Sequence, residues 1–313
     1  MTTTSVRRPW TIVQLALIAA GLAAAILFTV ISPSPPPPSF KPAALGEQPP
    51  GAVVIGKEDG GLAVGVAAAP RDRQLLVVAT VFSQEGDGAA GLDPRLTITT
   101  RDGRRMTAPA SACTPGCYQA VFGTSRLPRQ VSVTFHGRSR VDFTLPPHGP
   151  SAAALRLVRA AQAEYGRLRT LVTHERLGSD LTHVVYTTYY AVAPDKLYFV
   201  VRGEDQSIII GNRRWDRSRG GRWQASAQTP IKPIAPYWTP LVRDATILAN
   251  VSVQGRPAWK ISFADPQTPG FFTIWLDKSN YRTLELEMTA PAHFMHHRYG
   301  PFNSPITIQP PPA

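Results

Sequence analysis

Apolar and polar positions alternate along most of this chain, and the places where the alternation stops divide it. Residues 10–32, WTIVQLALIAAGLAAAILFTVIS, carry no charge. A helix of that length rises roughly 34 Å, enough to cross the hydrocarbon core of a bilayer. From 51 to 147 apolar residues recur at every second position, as in Leu62, Val64 and Val66, then Leu96 and Ile98, Val131, Val133 and Phe135, and Val141, Phe143 and Leu145. LLVVATVF at 75–82 is a continuous apolar run, the mark of a strand buried on both faces. About seven short strands separated by turns such as GDGAAGLDP and RDGRR predict an antiparallel sandwich of immunoglobulin type.

At residue 151 the period changes. SAAALRLVRAAQAEYGRLRTL sets Leu155, Val158, Gln162, Tyr165 and Leu168 at helical spacing, with Arg156, Arg159, Arg167 and Arg169 mostly on other faces. Strand-like runs then follow: LVTHERL, HVVYTTYYAV, KLYFVVRGE, SIIIGNRRW, RWQASA, TILANVSV, PAWKISFAD, FFTIWLD and RTLELEMTA. One helix followed by many antiparallel strands predicts a large curved sheet wrapped over helical material. The stretch 230–243, PIKPIAPYWTPLVR, breaks the rhythm and reads as a flap or short helix at a cavity mouth. The fold class expected is mainly β. A transmembrane helix is followed by a sandwich over 51–147 and an α+β curved antiparallel sheet over 151–310. The proline-rich residues 33–50 form a polyproline II spacer between helix and sandwich.

Charge adds orientation. Arg7 and Arg8 precede the apolar segment and no charged residue follows it until Lys41, so residues 1–9 stay in the cytoplasm and the remainder is exported. A cleaved signal peptide is the rival reading, although its apolar region usually spans about 7–15 residues. Either way the bulk of the chain lies outside the cytoplasm; uncleaved, the segment holds it at the membrane as a single-pass helix. The chain of 313 residues carries a net charge of +12. GNRRWDRSRGGRWQAS at 211–226 interleaves arginine and tryptophan in the manner of single-strand binders. Export removes nucleic acid as a partner and leaves anionic lipid or wall polymers. The same stretch also reads as a β-hairpin: 208–215 and 222–227 flank SRGG, with the arginines on the wet face.

Candidate chemistry is sparse. Cys113 and Cys117 bracket Thr-Pro-Gly, good turn chemistry, and an even cysteine count outside the cytoplasm favours a disulfide. A thiolate copper site is the alternative. HFMHH offers His293, Met295, His296 and His297, imidazole and thioether ligands suited to copper. On a strand, His293, Met295 and His297 would share one face; the alternative is a polar loop. No nucleophile elbow, metalloprotease helix, phosphate loop or dinucleotide fingerprint occurs, so no enzyme activity and no cofactor other than copper is expected.

Residues 151–310 resemble the LolA/LppX-like superfamily of bacterial lipoprotein carriers. The features are an opening helix, a tyrosine-rich strand leading into APDKLYFVVRG, then IIIGNRRWDRSRGGRW and FFTIWLDKSNYRTLELEMTA. LAVGVAAAP, CYQAVF and VDFTLP resemble the small YtkA/FixH-type sandwich. In this order, ending in HFMHHRYGPFNSPITIQPP, the two are similar to the exported C-terminal region of CopD-type copper-transport proteins. Those proteins carry a transmembrane bundle upstream, and here a single apolar segment stands in its place. The resemblance implies an apolar cavity under a curved sheet, for a lipid or a lipidated partner. Its lining would come from Tyr186, Tyr189, Tyr198, Val200, Ile208, Ile210, Trp238, Phe263, Phe272, Ile274 and Leu286. The competing functions are an accessory of copper homeostasis and a protein-binding envelope sensor.

Overall fold

A computed structural model describes residues 48–59, 62–82, 88–135, 140–178, 184–203, 205–268, 270–290 and 293–312, the side chain of His293 excepted. The apolar segment 10–32, the residues before it and nearly all of the proline spacer lie outside these. Among the described residues no helix is long and apolar enough to cross a membrane.

Nine strands build the first unit: β1 (Val53–Asp59), β2 (Leu62–Arg71), β3 (Gln74–Phe82), β4 (Arg95–Thr99), β5 (Arg105–Pro109), β6 (Ser111–Thr114), β7 (Cys117–Phe122), β8 (Gln130–Thr134) and β9 (Arg140–Thr144). They form two antiparallel sheets, β1-β2-β3-β7-β6 and β5-β4-β8-β9, around a core that includes Val64, Val66, Val77, Ile98, Val131 and Phe143. The order β2-β3-β7-β6 against β5-β4-β8-β9 is that of an immunoglobulin-type sandwich, with β1 added at one edge. The alternation of Leu62, Val64 and Val66 and of Val131 and Val133 sends these side chains into that core. Strands β5 and β6 carry few apolar residues and are largely exposed, which is why periodicity alone passes over them. Cys113 and Cys117 are joined by a disulfide that closes the turn between β6 and β7. Gly116 sits in that turn at φ +75°, where a side chain would be strained.

Ser151 starts the one described helix, α1 (Ala152–Tyr165), by accepting a hydrogen bond from the Ala154 amide at 3.1 Å. Its buried residues are Ala154, Val158, Ala161 and Tyr165, with Leu155 at the flank. The buried face is therefore rotated from the one expected through Leu155 and Gln162, and the helix ends before Leu168. Three of its four buried contacts are alanine or valine, so the helix axis can lie close to the sheet beneath.

That sheet has eleven antiparallel strands. The first meander comprises β10 (Thr170–Gly178), β11 (Val184–Val192), β12 (Lys196–Val201), β13 (Gln206–Ile210), β14 (Arg213–Arg217) and β15 (Gln224–Ala227). The second comprises β16 (Arg243–Val253), β17 (Arg256–Ala264), β18 (Phe271–Asp277), β19 (Thr283–Ala290) and β20 (His293–Phe302). Pairing of β10 with β20 joins the two in the middle, giving the order β15-β14-β13-β12-β11-β10-β20-β19-β18-β17-β16. The arginine-tryptophan stretch is a hairpin, β14 on β15. Its first arm is shorter than the sequence suggests because Gly211, at φ +57°, turns the chain between β13 and β14. HFMHH lies at the start of β20, inside the sheet.

The sandwich packs on the outer face of the second meander through a glycine socket. Gly56 and Gly65 are cross-strand partners on β1 and β2, and Phe271 of β18 lies against both. A Cβ on Gly65 would fall 2.0 Å from the Phe271 ring, and one on Gly56 2.6 Å from the Phe271 Cβ. Ala52, Val54, Ala67, Ala69 and Ala264 complete the contact, and Arg176 pairs with Glu58 at 3.1 Å beside it. Gly65→Ala is expected to lower stability by about 1–3 kcal/mol through overpacking. Phe271→Ala removes the clashing ring, so the two substitutions together should cost less than their sum. Urea unfolding of the two single variants and the double variant measures the coupling; strict additivity would show that the ring and the glycines do not interact.

Candidate functional site

Strand alternation divides the side chains of the eleven-stranded sheet into two sets. The inner set, packed on α1, includes Tyr189, Phe199, Ile209, Phe263, Phe272 and Leu286. Above them runs a strap, residues 228–242, which leaves β15 at one edge of the sheet and enters β16 at the other. Proline at 230, 233 and 236 denies the strap ladder donors and favours extended backbone, so it does not join the sheet as a strand. Ile231 and Ile234 follow at the same interval of three, and both are buried in the core with Trp238 and Val242. Trp238 packs edge-on against Tyr165 of α1 and Phe263 of β17, at centroid distances of 5.8 and 5.4 Å. Hydrogen bonds tie the strap near its ends: the Gln228 amide donates to the Asn212 carbonyl, and the Thr239 amide and hydroxyl both donate to the buried Asp265 carboxylate.

Under the strap lies a polar cluster in otherwise apolar surroundings. Glu175 of β10 and His297 of β20 are direct cross-strand partners, with His297 Nε2 2.8 Å from Glu175 Oε1. The Tyr189 hydroxyl donates to Glu175 Oε2 at 2.7 Å. Tyr237 of the strap stands edge-on to the His297 ring at 4.7 Å. His297 is 0% exposed, and with Nε2 committed to the carboxylate its Nδ1 makes no hydrogen bond. The Trp238 indole N–H is likewise buried without a hydrogen bond, whereas the buried Tyr165 and Tyr299 hydroxyls face each other. These four atoms belong to neighbouring rings, since Tyr165 also lies 6.1 Å from Tyr299, and Tyr299 5.7 Å from His297. A buried polar atom left unpaired costs about 1–3 kcal/mol.

Burial pushes the phenols of Tyr189, Tyr237 and Tyr299 well above the ordinary value of 10.0, and the charge on Glu175 acts in the same direction on all three. Burial pushes Tyr165 up to about 12. All four are therefore neutral hydroxyls at physiological pH.

The residues expected to line a cavity fall on both faces. Tyr189, Trp238, Phe263, Phe272, Ile274 and Leu286 belong to the inner core. Tyr186, Tyr198, Val200, Ile208 and Ile210 lie at the alternate positions, on the outer face, and Tyr186 is 42% exposed. Of the copper candidates, Met295 and His297 turn inward, whereas His296 turns outward, 3.6 Å from Glu285. Among the described residues no group of three or more His, Cys, Asp and Glu is placed to hold a metal ion. Glu175, Tyr165, Tyr237 and Tyr299 were not among the sequence candidates. An acidic residue set within the apolar-leaning strand LVTHERL was the one available signal for Glu175, and nothing in the sequence pairs it with a histidine 122 positions away.

No family model and no curated protein matches this chain. Among solved structures it is similar to LprF from Mycobacterium bovis, at 13% identity and TM-score 0.41, over 53% of this chain and 100% of that one. It is similar also to the lipoprotein LppX from Mycobacterium tuberculosis, at 12% identity and TM-score 0.41, over 50% and 98% of the two chains. A DUF1329 family protein from Desulfovibrio piger matches at 8% identity and TM-score 0.25, over 52% and 96%.

Burial of these four tyrosines is expected to make the fold sensitive to strongly alkaline pH. Their pKa values are raised on folding, so the folded state holds these protons more tightly than the unfolded chain. Their stabilising effect is complete below about pH 10 and is lost as pH rises towards and past 12. Absorbance near 295 nm, followed with circular dichroism, should show these four phenols ionising only together with unfolding. Ionisation of all nine tyrosines near pH 10 with the fold intact would contradict the burial.

Proposed function

We propose that this chain is a membrane-anchored, extracytoplasmic binding protein without catalysis. Its curved sheet takes up an apolar ligand, a lipid or the acyl chain of a lipidated partner, in the space the strap now fills. The strap is the observation that carries this reading. It buries Ile231, Ile234, Trp238 and Val242 against the inner face, yet among the described residues is hydrogen-bonded only near its ends and belongs to neither meander. An acyl chain laid in its place would cover the same apolar surface, at roughly 25 cal/mol per Å² for either occupant, so exchange of one for the other is nearly balanced. The unpaired His297 Nδ1 and Trp238 indole N–H beneath would receive the ligand's carbonyl or hydroxyl. Anchoring is supported by the uncharged segment 10–32 behind Arg7 and Arg8.

Native mass spectrometry of the full-length chain, extracted in mild detergent, tests the reading. The protein is expected to carry a single lipid-sized adduct. Thr239→Val, which loses the hydroxyl bond to Asp265 and loosens the strap, should exchange that adduct for an added lipid several-fold faster. A wild-type chain and a Thr239→Val variant both free of adduct, and both unable to take up added lipid, would sink the proposal.

A further inference from the structure

The outer face of the first meander has its own chemistry, unrelated to the space under the strap. On β11 to β14 the outward positions are the even residues through Ile210 and then Arg213, Trp215 and Arg217. Four aromatic side chains stand there: Tyr186, Tyr190, Tyr198 and Trp215. Tyr190 stacks on Tyr198 at 5.6 Å, and Trp215 is the cross-strand partner of Ile208, which pairs in turn with Tyr198. The basic residues Lys196, Arg213 and Arg217 share this face, and Arg202 folds over the Tyr186 ring at 4.6 Å. Arg213 lies over Trp215 at 5.4 Å and Arg217 over Trp223 at 4.6 Å. Among the described residues no carboxylate occupies an outward position on these four strands; Asp216, the acidic residue of β14, turns to the other face and binds Arg214 and Ser207. The sandwich packs on the outer face of β16 to β20, reaches β10 through the Arg176–Glu58 pair, and leaves Tyr190, Tyr198 and Trp215 half-exposed.

At one corner of the face a cleft of about 450 Å³ opens between Val200, Gln206, Arg217 and the loop Ser218–Gly221, with Arg219 in its lining. That volume lies within the range of small-molecule sites, about 300–1,000 Å³.

We propose that this face rests on an anionic lipid bilayer, its tyrosine and tryptophan rings at headgroup depth and the arginine-lined cleft holding a lipid phosphate. Amphipathic rings with a polar tip are the side chains that settle at a membrane–water boundary. Guanidinium groups are drawn to an anionic surface and bind phosphate bidentately. The complementarity is one-sided, because among the described residues four cations on this face oppose no outward carboxylate of β11 to β14. The lipid of this proposal is a headgroup in the bilayer plane, so it stands whether or not the strap gives way to a ligand.

The test uses the full chain reconstituted in vesicles whose acyl chains are brominated, which quench indoles lying at the membrane. The Trp215 signal is the difference between the wild-type chain and Trp215→Phe. In vesicles containing phosphatidylglycerol that signal is expected to be quenched, and 0.5 M salt, of the order that shortens the screening length well below 10 Å, should release it. The triple variant Arg202→Glu, Arg213→Glu, Arg217→Glu should lose more than half of the quenching, with unchanged circular dichroism showing that it folds. The salt arm needs no variant and stands if the triple variant fails to fold. Quenching that is equal in phosphatidylcholine vesicles, or a Trp215 signal that brominated lipid leaves unchanged in both, overturns the proposal.

Discussion

The chain must travel from one edge of an eleven-stranded sheet to the opposite edge, and it has fifteen residues in which to do so. Eleven strands at about 4.8 Å spacing make a sheet roughly 48 Å wide if flat. Fifteen residues in polyproline II conformation reach about 47 Å. A flat sheet would hold the crossing taut and leave none of it to dip inward. Curvature shortens the chord, and the slack lets Ile231, Ile234 and Trp238 drop into the concavity. Curved sheet, helix α1 and strap are thus one solution to a connectivity problem. The lid over the inner face is imposed by strand order, and its prolines ensure that it crosses the face without pairing to it.

A second constraint lies at the seam. Strands β10 and β20 are far apart in sequence, so no turn fixes their register, and each could slip by one residue only by sending its inner side chains outward. Glu175 opposite His297 resists that slip. Moving either by one position would leave a buried carboxylate without its imidazole, a loss of about 1–3 kcal/mol for a buried polar group left unpaired. The Tyr189 bond to the same carboxylate extends the restraint to β11. The cluster that faces the strap is therefore also what aligns the two meanders. Its unpaired atoms are those that register does not use: Nδ1 of the histidine and the indole N–H of Trp238.

Much of this fold was legible in the sequence, and the gaps have physical causes. Period-two alternation marked nearly every strand of the large sheet, and the loss of that period marked the strap at 230–243 and the helix after Ser151. What alternation does not reveal is which of its two phases points inward. Tyr186, Tyr198 and Ile208 are as apolar as Tyr189, Phe199 and Ile209, because the outer face of β11 to β14 is itself aromatic. Helix α1 shows the same ambiguity in another form. Alanine decides its buried face, and a hydrophobicity count favours Leu155 over Ala154 although closeness to the sheet requires the smaller residue. Glu175 was illegible because its partner is distant in sequence. The glycine socket was illegible because Gly56 and Gly65 have meaning only when Phe271 is set on them.

The histidine-rich segment shows how register changes the chemistry a motif can perform. As a string, HFMHH presents imidazoles side by side. On β20 their parity separates them: His296 faces outward to Glu285 of β19, and His297 faces inward to Glu175 of β10. Each of these two imidazoles is set against a carboxylate on a different neighbouring strand. An ion bound here would have to be served from one face alone. The inward face offers Met295 and His297 beneath the strap, where His297 already gives its Nε2 to a carboxylate. The same alternation that makes the inner face apolar thus divides the motif that, read as sequence, looked most like a site.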